Sequence, residues 1–203
     1  MRKSIVIVTI AVLLITVFIP SQLFAKVSGD PLQTYNCPFL LTSGGQGAGS
    51  KMLRLLINQS KKFKLGTDFN LEDETPARYS LIDSGKYKTL VIVMSVTEKG
   101  LGASGITIED EISYLKEVVK KAKAQNMPIV AVSMERDARS KISTNGNERV
   151  IDTVCPNADW IITIAANNTD GRFTDLGKKH NIPVTVIDAP LDLVKVLPNI
   201  FIK

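Results

Sequence analysis

Histidine is almost missing from this chain: one occurs in 203 residues, alongside one tryptophan and two cysteines. No His, Cys or carboxylate spacing typical of a metal centre is present, so no metal ligand set is expected. With so little cysteine, a disulfide-dense scaffold is excluded. Repeats and low-complexity tracts are absent too, and 44% apolar with 22% charged side chains is an ordinary globular balance, which excludes collagen-like and disordered chains. A strong excess of charge is also lacking. The net charge is +5 and two of the cations, Arg2 and Lys3, belong to a leader, so the remainder is too weakly basic to imply nucleic acid.

What is there begins with that leader. Met1-Arg2-Lys3 opens it, residues 4–19 run apolar and uncharged, and residues 20–25 close it with a proline at the start and a small residue, Ala25, at the end. This is the layout of a secretory signal peptide. Cleavage after Ala25 is expected, which places the protein outside the cytoplasm, periplasmic or secreted. An uncleaved membrane anchor is the alternative, although the run is short for a span of about 20 residues; only through it would the chain meet a membrane. The plan is a signal peptide over 1–25, an N-terminal extension over 26–37 and one domain over 38–203. In an oxidising compartment Cys37 and Cys155 invite a disulfide, since both fall at the lower edge of the sheet derived next. The alternative is two unrelated small buried residues.

From residue 38 onward, apolar strands alternate with amphipathic helices. Strands read at 39–42, 89–95, 127–133, 160–164 and 183–187, with a weak alternating edge strand at 62–68. Met52, Leu53, Leu55 and Leu56 form the stripe of a first helix ending near Ser60. Ile108, Ile112, Leu115, Val119 and Ala122 share one face of a long helix, with Thr107 as N-cap and Asp110 completing a variant capping box. Further helices end near Cys155 and cover 173–179 and 191–197. The alternation predicts an α/β fold: a single Rossmann-like three-layer domain, its mostly parallel sheet of five or six strands covered by helices on both faces.

In such sheets ligands bind beyond the carboxyl ends of the strands, where strand order reverses. The turn after the first strand offers Ser43, Gly45, Gln46 and Gly47 ahead of a helix with no acidic residue in its first turn, an arrangement suited to an anion. It is no P-loop, because Ser50-Lys51 inverts the required order. A tight turn that needs glycine is the alternative. Lys99, Gly100 and Gly102 follow the strongest strand within a G-x-G-x-x-G string. Those glycines neither end the strand nor open the next helix, so a dinucleotide is disfavoured, no cofactor is expected, and a Gly-rich lid or packing loop fits better. Arg136 and Arg139 follow the fourth strand as anion contacts or solvated charges, and Asn168 follows the fifth. His180 ends a helix on the opposite edge and G-x-S-x-G is absent, so no catalytic residue is assigned.

Thr42-Ser43-Gly44-Gly45-Gln46, Lys99-Gly100-Leu101-Gly102-Ala103-Ser104-Gly105-Ile106, Ile129 with residues 136–139, and Asn168-Thr169-Asp170-Gly171 resemble a family of secreted bacterial proteins of unknown function, over about 38–197. The Lys-Gly-Leu-Gly-Ala piece is the most specific. The resemblance implies a Rossmann-like fold and export, and no activity. The leading expectation is an exported small-ligand binding domain for an anionic or polyhydroxy ligand, with Ser43, Gln46, Lys99 and Arg136 around it. The alternatives are an extracytoplasmic hydrolase or transferase using Asp and Arg of these loops, and a module that contacts another envelope protein.

Overall fold

Five strand runs that are apolar on both faces cannot lie on a surface, and in the structure they form the centre of one sheet. The structure, a computed structural model, describes residues 26–72, 79–136, 139–140 and 142–203. The expected leader over 1–25 and Asp137 lie outside the described residues. In chain order the elements are β1 (Val27–Gly29), β2 (Tyr35–Asn36), β3 (Phe39–Gly44), α1 (Gly49–Ser60), β4 (Phe69–Glu72), β5 (Thr89–Met94), α2 (Glu98–Ala103) and α3 (Ile108–Ala124). Then come β6 (Ile129–Ser133), α4 (Gly146–Val154), β7 (Trp160–Ile164), α5 (Arg172–His180), β8 (Val184–Ile187), α6 (Leu193–Ile200) and β9 (Phe201–Ile202).

The main sheet has seven strands in the order β1-β8-β7-β6-β5-β3-β4. Six are parallel, and β1 joins them antiparallel to β8, with Val27 opposite Ile187. The sheet therefore has one strand more than the upper end of the expected five or six. Val27–Gly29 carries a single apolar side chain, so nothing local marks β1 as a strand. A separate two-stranded ribbon pairs β2 with β9. The chain lays β4 on one side of β3 and β5 on the other, so strand order reverses between β3 and β5.

Side chains alternate between two cores. Leu40, Ile92, Ile129 and Ile161 pack against Leu115 of α3, Val150 of α4 and Phe173 of α5. Leu41, Val93, Val132 and Ile162 pack against Leu56 of α1 and Leu197 of α6. This is the three-layer α/β domain read from the pattern. The capping box of α3 is present, Thr107 accepting from the Asp110 N–H at 3.1 Å.

Two expectations are corrected. The edge strand starts at Phe69, where the expected 62–68 strand ends. Residues 62–68 form a turn instead: the Lys64 N–H donates to Asp68 at 2.8 Å, and Phe63 turns inward to meet Phe39 edge-on at 5.8 Å. The expected disulfide is not formed. Cys37 and Cys155 are both free and sit on opposite faces of the sheet, Cys155 with its sulfur 3.7 Å from Met94 and Cys37 against the α1/α6 core.

Candidate functional site

The reversal between β3 and β5 brings the glycine turn after β3 beside the segment after β5. They meet as a packed seam. The Gly47 N–H donates to the Ser95 carbonyl at 2.8 Å, and the Thr97 N–H donates to the Gly45 carbonyl at 3.3 Å. Gly45, with φ +118°, has no room for a side chain: a Cβ there would lie 2.7 Å from the Ser95 carbonyl oxygen. A Cβ at Gly100 would run into the Gln46 carbonyl oxygen, and the Ser104 hydroxyl donates to the Gln46 side chain at 3.1 Å. The structure thus brings Gly45, Gln46, Gly47 and Gly100 together, and close backbone approach is what their glycines serve.

The anion position in this turn is filled from within. The Gly45 N–H donates at 2.7 Å to the carboxylate of Glu111, a fully buried residue of α3. Ser43 is buried at the end of β3. Among the described residues, the buried Ser50 hydroxyl and the Gln46 amide nitrogen have no hydrogen-bond partner.

The other sequence candidates go elsewhere. Lys99 and Gly102 lie exposed on α2, a short helix in place of the expected loop, whose N-cap Thr97 accepts from the Gly100 N–H at 3.0 Å. Arg136 is exposed beyond β6. Asn168 caps α5, its oxygen accepting from the Phe173 N–H at 2.9 Å. His180 ends α5, at the edge away from the seam, as its position in the pattern requires.

Sequence reasoning named Arg139 but missed the charge cluster beyond β6 and β7 in which it sits, above all Glu148. Glu148, on the first turn of α4, has a side chain only 5% exposed, and it accepts from Arg139 Nε at 2.6 Å and the Ser140 N–H at 3.1 Å. Arg139 also donates to the Asn167 carbonyl at 2.8 Å and lies over the Phe173 ring at 5.4 Å. Its two terminal nitrogens reach both oxygens of Asp170, at 3.2 and 3.0 Å. Arg172 of α5 reaches Glu148 at 3.4 Å and pairs with Asp152. Burial alone would raise the Asp170 carboxyl, but the Arg139 guanidinium and the Arg172 N–H outweigh it and hold it below its ordinary value. A signal for Glu148 existed: it falls three residues before Ile151 on the buried stripe of α4, where a carboxylate needs a partner.

Beside this cluster is a cavity of about 400 Å³ bounded by Arg139, Ser140, Ser143, Glu148, Asp170 and Arg172. The helix beneath it is pinned to the seam, because the Asn147 side chain accepts from the Val96 N–H at 2.7 Å and donates to the Val96 carbonyl at 3.2 Å. A larger hollow of about 580 Å³ lies at the opposite edge beside Asp30, Lys178 and Asn181. Its one carboxylate, Asp30, is committed to the Val184 N–H at 2.7 Å, and the hollow lies away from the carboxyl ends of the parallel strands. The smaller cavity is therefore the better candidate.

A family model described as a domain of unknown function, DUF6305, matches residues 36–201. No curated protein matches the chain by sequence. Among solved structures, the psychrotrophic esterase EstA from Pseudoalteromonas sp. aligns with 15% identity and a TM-score of 0.31, covering 73% of this chain and 76% of that one. A mutant of the esterase AlinE4 aligns with 12% identity and a TM-score of 0.32, covering 84% and 82%. TesA aligns with 14% identity and a TM-score of 0.27, covering 72% and 76%. Similarity at this level carries no functional argument.

Proposed function

Since the chain belongs to the DUF6305 family of domains of unknown function, we propose a reading from its own residues: an exported binding domain for a small polar ligand. The ligand sits at the carboxyl edge of the sheet, in the cavity beside Arg139 and Arg172. The observation that carries this is the cavity itself. Its volume of about 400 Å³ suits a small molecule, and its boundary combines two guanidinium groups, two carboxylates and the Ser140 and Ser143 residues. The frame around it is rigid where Glu148 and Asn147 fix α4, which favours a preformed site.

Among the described residues, the enzymatic alternative lacks support at this edge. Ser95 donates to the Glu135 carboxylate, a serine–acid pair at the end of β5, but Ser95 is 1% exposed and out of a substrate's reach. Calorimetric titration of the purified protein against hydroxy acids, amino acids, phosphates and sugars tests the binding reading. Binding by one class, lost in Ser143→Trp, which fills the cavity, is the result expected. A ligand that binds Ser143→Trp as well as wild type would place the site elsewhere.

A further inference from the structure

Arg139 is held on three sides and covered on the fourth by a group that can leave. Glu148 takes Nε at 2.6 Å, the Asn167 carbonyl takes a terminal nitrogen at 2.8 Å, and the ring of Phe173 lies against one face. The remaining edge, formed by both terminal nitrogens, is met by the two oxygens of Asp170. That is the fork-to-fork geometry in which a guanidinium recognises a carboxylate.

The two carboxylates on Arg139 are not equivalent. The Glu148 side chain is 5% exposed and shared with the Ser140 N–H and Arg172, whereas the Asp170 side chain is 42% exposed. An ion pair open to water contributes about 0–1 kcal/mol, so Asp170 exchanges at little cost. Glu148 does not. Among the described residues two guanidinium groups face three carboxylates here; Glu148 is buried, Asp152 pairs with Arg172, and Asp170 is the open carboxylate on Arg139.

We infer that the cavity takes ligands carrying a carboxylate, and that Asp170 occupies the ligand's place on Arg139 in the free protein. This rests on the binding reading above and names the ligand class for that cavity. The incoming carboxylate makes the same paired contact with Arg139, Asp170 swings outward, and Arg172 and the Ser140 and Ser143 residues face the rest of the molecule. Asp170 is thus an internal competitor. If it covers the fork about four-fifths of the time, the most that an ion pair of about 1 kcal/mol sustains, it weakens apparent affinity roughly fivefold.

Asp170→Asn isolates this role. The asparagine oxygen can still accept from the Arg172 N–H, now at 3.2 Å, so this contact at the start of α5 is kept. The neutral amide cannot form the paired ionic contact. Calorimetry of wild type and Asp170→Asn uses acetate, lactate and succinate beside acetamide, lactamide and glycerol, with thermal melting as the folding control and Asp170→Ser as a second variant. The inference expects a gain of up to about fivefold for a carboxylate, none for the neutral compounds, and loss of carboxylate binding in Ser143→Trp. Equal affinity of wild type and Asp170→Asn for the carboxylates overturns it, as does an equal gain for the neutral compounds. If neutral compounds bind and carboxylates do not, the cavity stands as a polar site and the carboxylate inference falls alone. If nothing binds either folded variant, both fall.

Discussion

Glu148 and Asp170 pair with the same guanidinium, yet truncating them has very different consequences. Glu148→Ala removes the Arg139 Nε contact at 2.6 Å and the Ser140 N–H contact at 3.1 Å, and leaves a guanidinium whose side chain is 12% exposed without its buried partner. Breaking a buried pair from one side costs about 3–5 kcal/mol. Asp170 and the Asn167 carbonyl still hold Arg139, so the lower end, about 3 kcal/mol, is expected. Asp170→Ala removes a contact with a side chain 42% exposed, worth about 0–1 kcal/mol. For a domain of this length the two losses correspond to roughly 6–12 °C and at most about 4 °C in Tm. Urea unfolding followed by circular dichroism, with the slope checked for constancy, measures both. Losses of equal size would refute the claim that burial separates the two carboxylates.

The same distinction between buried and open groups governs three further outcomes. Thiol counting on the unfolded, unreduced protein should find two free thiols. In the folded protein both should react slowly, Cys155 because it is fully buried and Cys37 because burial, with Asp68 nearby, pushes its thiol up to about 11. The intact mass of protein recovered from the envelope of its host should begin at Lys26; a mass that retains the leader, in the membrane fraction, would show an anchor. Burial raises the Glu72 carboxyl, only partly offset by the Leu81 and Ile82 N–H groups. Above its ordinary value the folded state then binds the proton that the unfolded state has released, so this group's contribution to stability falls as pH rises through the raised value. Glu72→Gln should remove that part of the slope in urea midpoints measured from mildly acidic to neutral pH, and an unchanged slope would speak against it.

Elements whose signal is local could be read from sequence, and contacts whose partner is distant could not. Thr89–Met94 and Trp160–Ile164 are apolar at every position but one threonine each and read as buried strands without context. Val27–Gly29 becomes a strand only because β8 offers it a partner. The glycines of α2 read as a loop, yet the Thr97 cap and close packing on Gln46 hold them helical. The edge of the sheet where a site should lie followed from topology. Its contents did not, because Glu111 and Glu148 resemble ordinary helix-start carboxylates until the fold buries them against Gly45 and Arg139. Each lies on the apolar stripe of its helix, and that was the readable warning.

Both N-terminal strands find their partners at the other end of the chain. Ser28 lies opposite Val186, Tyr35 lies opposite Phe201, and Asp30 receives the N–H of Val184, 154 residues later. Contacts of such separation form late, since the intervening chain must be closed before they return anything. A chain delivered amino end first therefore makes its outermost strand at the beginning and sets it in place at the end. Until residues 184–202 arrive, the strands at residues 27–29 and 35–36 stay unpaired, so the amino end of the described chain is secured last.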